Sequence, residues 1–186
     1  MKKKNTKSQN NNTMLWIIFF LVITVALFIF LRLQKNSYDA NREELKPIAA
    51  SLDVGKYNIY KSKQLKITLR IPKVYKMTDK FKFISLTSEQ GEILVSTNGS
   101  YFNNIEEHLK LLAKLNHLIY EDKKSLIVNN YEAIFTIIKG KDSGEEERSY
   151  FIYPDKSTWT IYSISTKSKD LYKDLDQIAQ SFQYTP

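Results

Sequence analysis

The sequence predicts an α+β fold, an antiparallel β-sheet covered by helices, placed after one N-terminal transmembrane helix. Three observations carry this expectation. Residues 15–31 (LWIIFFLVITVALFIFL), with Leu15 and Leu31 at the two ends, run without a charge, a glycine or a proline. From about residue 56 onward, short segments alternate apolar and polar residues at hairpin spacings, the period-two signature of half-buried strands. Two segments, 105–120 and 169–182, change to the apolar spacing of amphipathic helices.

Residues 1–12 (MKKKNTKSQNNN) are polar and low in complexity, and are expected to form a disordered cytoplasmic tail. The apolar run makes about 25 Å of helix. Thr13, Met14 and the stem of a snorkelling Arg32 extend it toward the roughly 30 Å of a bilayer core, so a span over 13–33 in contact with membrane lipid is expected. A cleavable signal pairs a shorter apolar stretch with an A-x-A-like site. Here Arg32, Leu33, Gln34, Lys35 and Asn36 follow, and Ser37 and Ala40 flank the bulky Tyr38 and Asp39, so a retained anchor is the better reading. The absence of cysteine rules out a bacterial lipoprotein anchor. Lys2, Lys3, Lys4 and Lys7 precede the span, and Arg32, Lys35, Arg42 and Lys46 match them in number beyond it. The first four sit in a short tail, whereas the others belong to a long translocated region. The expected topology is therefore single-pass in the cell membrane, amino terminus cytoplasmic and carboxyl-terminal domain outside.

Residues 34–55 read as a stalk, with a short helix possible over 41–52 and limited by Pro47. The domain is expected over 56–186, a common domain size. Leu65, Ile67, Leu69 and Ile71 alternate with Lys66, Thr68 and Arg70 in a strand ended by Pro72. Segments 81–86 and 91–96 give two more strands, joined through Ser88, Glu89, Gln90 and Gly91. A helix over 105–120 would place Ile105, Leu109, Leu112, Leu115 and Ile119 on one stripe, with Asn103 or Asn104 as cap and Glu106 and Glu107 in the first turn. Strand 125–128 leads through Asn129-Asn130 into strand 131–138. Residues 139–148 turn the chain, and strands 149–153 and 158–165 follow around Pro154, Asp155 and Lys156. A last helix over 169–182 presents Leu171, Leu175, Ile178, Ala179 and Phe182 on one face, with Ser168 as its cap. Consecutive strands at hairpin separations require an antiparallel sheet, and the two helices must cover it.

The residues argue against several chemistries. Zero cysteines exclude disulfides, thiolate nucleophiles and cysteine metal sites. The formal net charge is +8, half of it supplied by the four amino-terminal lysines, and the rest reads as a scattered, solvated surface near an anionic membrane, not a nucleic-acid interface. His108 and His117, nine apart on one expected helix, would point about 180° away from each other and cannot share a metal. No HExxH, GxSxG, SxxK or phosphate-loop motif occurs. Glu145, Glu146 and Glu147 form an acidic hairpin tip where calcium is conceivable, but adjacent residues on extended chain point in alternate directions and a solvated loop is favoured. No catalytic residue, cofactor or metal ligand is assigned. Tyrosines are spread through the domain. Tyr150, Tyr153, Trp159 and Tyr162 lie on two neighbouring strands with aromatics of both parities, so some should face outward and form a partner surface.

The order of elements resembles the PsbP-like (Mog1/PsbP) α/β/α sandwich domains. The similarity begins at Tyr60-Lys-Ser-Lys-Gln-Leu-Lys-Ile-Thr-Leu-Arg-Ile-Pro72, like the family's opening strand. It continues through the helix start Asn104-Ile-Glu-Glu-His-Leu-Lys and the hairpin strand Tyr150-Phe-Ile-Tyr to Leu175-Asp-Gln-Ile-Ala-Gln-Ser-Phe182. Lys73-Val74 stands where the family frequently has Gly-Trp. The resemblance covers about 57–186 and implies a non-catalytic binding or assembly module, its relatives including photosystem-associated extrinsic proteins and bacterial envelope proteins. The expected function is that of a membrane-anchored extracytoplasmic binding module with an envelope protein as partner. The alternative is a structural subunit of an envelope or secretion machine with the same one-span, one-domain layout.

Overall fold

The computed structural model describes the backbone of residues 43 and 44, and residues 55–186 in full. The expected tail (1–12), the transmembrane span (13–33) and nearly all of the stalk (34–55) lie outside the described residues. Among the described residues no helix is long and apolar enough to cross a membrane. Within the stalk, β1 (Glu43–Glu44) is a short strand pairing in parallel with the edge of a sheet, where the sequence suggested a helix.

The domain opens with a hairpin, β2 (Tyr57–Ser62) and β3 (Ile67–Pro72), whose turn holds Lys66 in the left-handed region. Ile67, Leu69 and Ile71 are buried, as their alternation requires, and Pro72 closes the strand. A meander follows: β4 (Lys76–Lys80), β5 (Phe83–Ser88) and β6 (Gly91–Gly99). Gly91 is obligatory at the β5–β6 turn. Its φ is +136°, and a Cβ there would stand 2.9 Å from that of Ser168.

Helix α1 (Ile105–Asn116) starts on Asn104, whose Oδ1 accepts the Glu107 N–H at 2.8 Å. It stops one turn earlier than its apolar spacing suggests. His117 adopts the left-handed conformation of a helix C-terminus, and Leu118 already begins β7 (Leu118–Val128). Ile119 is therefore a strand residue, and Leu115 is left exposed. β7 bulges between Glu121 and Lys124 and returns through Asn129 and Asn130, both at positive φ as a tight hairpin turn demands. β8 (Tyr131–Gly140), β9 (Glu146–Tyr153) and β10 (Thr160–Thr166) complete the run of strands. After a 3-10 turn at Lys169–Leu171 comes α2 (Tyr172–Gln180), and β11 (Gln183–Tyr184) ends the chain beside β3. Ser168 makes no side-chain cap; its hydroxyl donates to the Gln90 carbonyl at 2.7 Å and ties the helix entry to the β5–β6 turn.

Two sheets result where one was expected. The large one runs β1-β7-β8-β9-β10-β6-β5-β4, antiparallel apart from β1, and the small one runs β11-β3-β2. One face of the large sheet packs against both α2 and the small sheet. There Ile84, Leu86, Ile93, Val95, Tyr150, Ile152, Tyr162 and Ile164 meet Ile67, Leu69, Leu175, Ile178 and Phe182. The opposite face packs against α1, through Ile134, Phe151, Tyr153 and Ile161 against Ile105 and Leu109. The central strands are covered on both sides, and the stabilisation is of order 1.5–3 kcal/mol for each large apolar side chain so enclosed.

Candidate functional site

The double covering decides where the aromatic residues of β9 and β10 go. Tyr150 and Tyr162 turn toward α2 and the small sheet, Tyr153 toward α1, and all three are buried. Their hydroxyls are engaged internally. Tyr150 donates to Asp176 of α2 at 2.8 Å, Tyr153 to the Phe102 carbonyl at 3.2 Å, and Tyr162 to the Leu65 carbonyl at 2.6 Å. Burial, reinforced at Tyr150 by the Asp176 carboxylate, pushes the Tyr150 hydroxyl well above its ordinary value, and burial pushes Tyr162 up to about 12. These rings are not available to a partner. Aromatic residues of both parities imply an outward face only on a sheet covered on one side; here each parity has its own covering layer.

The same device recurs elsewhere. Tyr57 donates to Gln177 at 2.8 Å and Tyr75 to Asp174 at 2.7 Å, so tyrosines from three separate strands or loops hold α2 by its polar side. Arg148 adds to the clasp, its guanidinium 4.7 Å from the Phe135 ring centre and 4.8 Å from that of Tyr172, with Asp176 at 3.4 Å.

Trp159 is the exception among the four, at 46% exposure. It follows a 3-10 turn at Lys156–Thr158 and sits at φ 52°, ψ 31°, a left-handed conformation that costs a bulky residue about 1–2 kcal/mol. Three bonds impose it. Asp155 accepts the Ser157 N–H at 2.9 Å, the Trp159 N–H donates to the Lys156 carbonyl at 3.4 Å, and the Trp159 carbonyl accepts the Ser100 N–H at 2.7 Å. The last bond brings in the β6–α1 loop, whose Tyr101 is 88% exposed. One end of the large sheet thus carries two solvent-facing aromatic residues on adjoining loops. Sequence reading singled out Trp159 but not Tyr101, which only the β6–β10 pairing places beside it.

Other candidates for chemistry are engaged or isolated. His108 is buried on α1, where desolvation lowers its pKa and keeps it neutral, and its Nε2 has no hydrogen-bond partner among the described residues. His117 caps the helix terminus by its backbone. Glu145 pairs with Lys167 at 2.6 Å and Glu146 with Lys139 at 2.9 Å, each lysine holding its partner below the usual carboxylate range. Lys139 also reaches Glu121 at 2.8 Å. Among the described residues no group of three or more His, Cys, Asp or Glu side chains is placed to hold a metal ion. A cleft of about 280 Å³ lies over β6 and β10, lined by Gly91, Glu92, Leu94, Glu147, Ser165 and Lys167, and it is partly open to solvent.

No family model matches the sequence, and no curated protein does. Among solved structures, the chain is similar to cyanobacterial PsbP (CyanoP) from Synechocystis sp. PCC 6803, with a TM-score of 0.51 and 9% identity over 74% of this chain and 99% of that one. A protein of unknown function from Pseudomonas aeruginosa, PA94, aligns with a TM-score of 0.43 and 14% identity over 71% of this chain and 99% of its own. The fold is therefore PsbP-like, in agreement with the resemblance in the sequence.

Proposed function

We propose that this chain is a single-pass membrane protein that displays its PsbP-like domain outside the cytoplasm. There it acts as a non-catalytic binding or assembly module for another envelope protein. The observation that supports the binding reading most is the backbone at Trp159. A strained, left-handed residue held by neighbouring loops, with a large ring left half in solvent, is the kind of local cost retained where a contact needs it. Tyr101 beside it enlarges the patch. Anchoring is supported by the uncharged run 15–31 and its lysine-rich flank.

Two measurements test these halves separately. The chain lacks cysteine, so single substitutions report unambiguously. A cysteine at Ser143 should react with a membrane-impermeant maleimide on intact cells, and one at Ser8 should not; the reverse pattern, or a mature protein lacking residues 1–40, removes the anchor reading. For binding, Trp159→Ala should abolish the principal crosslinked adduct on intact cells while the melting temperature stays unchanged, since the ring is half exposed and alanine keeps the same Cβ in the left-handed backbone. An adduct that survives Trp159→Ala removes the tip from the contact.

A further inference from the structure

The charge of this chain is far from scattered. Residues 56–82 contain eight lysines, one arginine and a single acid, Asp79, for a net +8, whereas residues 83–186 contain eleven basic and fifteen acidic residues. The basic stretch builds β2, β3 and β4, and all nine of its cations are exposed. β2 is an outer strand of the small sheet and β4 an outer strand of the large one. These two open edges lie together, because Ser62 donates to Asp79 at 3.0 Å and the Tyr60 hydroxyl donates to the same carboxylate oxygen. The one acid is thus turned into the joint between the sheets, and the exposed cations flank this edge: Lys61 and Arg70 on the small sheet, and Lys76 and Lys80 on the face of β4 opposite to Asp79. Ile59 and Lys61 point the other way from Tyr60 and Ser62, on the side where Ile59 is paired with Arg70.

Apolar side chains are interleaved with these charges. Ile59, Val74, Met77 and Phe81 are all exposed, Phe81 at 77%, and each stands within three residues of at least one lysine. Exposed aliphatic and aromatic groups among lysines match an anionic, amphiphilic layer: the cations meet the headgroups while the apolar tips enter the boundary beneath. Of the four only Phe81 offers a ring for a nucleobase, and lysines, unlike arginine forks, suit diffuse charge better than fixed phosphate geometry.

We propose that the side of the domain formed by residues 56–82 is a docking surface for anionic lipid headgroups, so that the domain lies against the bilayer on this side. The proximity of a bilayer rests on the anchor reading above; the charge and apolar pattern does not.

The test uses the full chain in lipid nanodiscs, with an environment-sensitive fluorophore on the single cysteine of Phe81→Cys. Emission should shift to the blue in discs containing phosphatidylglycerol but not in discs of phosphatidylcholine alone. High salt should reverse the shift, and a label at Leu115→Cys on α1 should not show it. Adding Lys76→Glu and Lys80→Glu should abolish the shift while the melting temperature is unchanged, since both positions are exposed. No shift with the anionic lipid, an equal shift in both lipids or at Leu115, or a shift that survives the charge reversals would overturn the proposal. So would a shift that appears only on adding an acidic protein or DNA. If the chain does not enter discs at all, the anchor reading has failed, and the same label mixed with vesicles of the same two compositions decides the lipid proposal by the same criteria.

Discussion

The two faces of the large sheet are made by the same strands and differ in what they bury. On β9, Tyr150 and Ile152 join the core beneath α2 and the small sheet, while Phe151 and Tyr153 join the one beneath α1. Among the described residues the first core comprises twenty-two buried residues and the second six. The first is also sealed at its rim by side-chain bonds from Tyr57, Tyr75 and Tyr150 to α2. On the α1 face, polar side chains take over beside the helix: Thr136, Ser149, Ser163 and Ser165 are buried there, and the Ser149 hydroxyl has no partner among the described residues. A sheet can thus hold its stability on one side and keep a lightly attached helix on the other. Local opening should follow that division.

Truncating one residue on each side is the most direct way to break the comparison. Phe182 is fully buried and its ring meets those of Tyr131 and Tyr162 at 5.8 and 5.2 Å between centroids, so Phe182→Ala should cost about 3–5 kcal/mol. Leu109→Ala should cost nearer 2 kcal/mol, at the low end for a buried leucine, because α1 has few partners and can settle into the space. Denaturant titrations of the two variants measure this; equal losses would show that the faces share the load.

A smaller effect sharpens the contrast through pH. His108 on the α1 side has its pKa lowered by desolvation, so below about 6.5 the unfolded chain binds a proton that the folded one resists. Stability on that account is full above this range and falls as the solution becomes more acidic. Tyr75, Tyr150 and Tyr162 on the α2 side have raised pKa values, chiefly from burial, so their contribution is full below about pH 10 and is lost as the pH climbs beyond it. Mild acid should therefore loosen α1 first, whereas alkali should act on both sides, since burial also raises Tyr120 and Tyr153 beside α1, as read by site-resolved hydrogen exchange. His108→Leu should flatten the acid limb alone.

What could be read in the sequence follows the same division. Strands with one buried face, such as β3 with Ile67, Leu69 and Ile71, showed their alternation plainly, and the core-facing stripe of the last helix was legible to Phe182. β2 (YNIYKS) and β4 (KMTDK) escaped notice because they are sheet edges with few buried residues and no apolar period. The apolar spacing of α1 runs one turn past the helix, since Ile119 continues the period that the left-handed His117 interrupts. The outward tyrosine surface failed for a tertiary reason: strand parity says which residues share a side, not whether a second layer covers that side. Of the site, Trp159 could be named in advance but not its backbone, and the concentration of charge in 56–82 was present in the composition yet gained meaning only when the β2 and β4 edges came together.

The small sheet joins the beginning of the domain to its end. β3 pairs with β11, and the Thr185 N–H donates to the Lys66 carbonyl at 2.8 Å. A growing chain makes β2 and β3 early and must wait for Gln183 and Tyr184 before the third strand exists. At about 5–20 residues per second, the interval for the more than one hundred residues between them is several seconds or longer. Throughout it the buried side of β3 lacks α2 and Phe182, and contacts so distant along the chain are slow to close. Synthesis interrupted before α2 would therefore leave a chain with its largest apolar surface uncovered, a ready substrate for proteolysis.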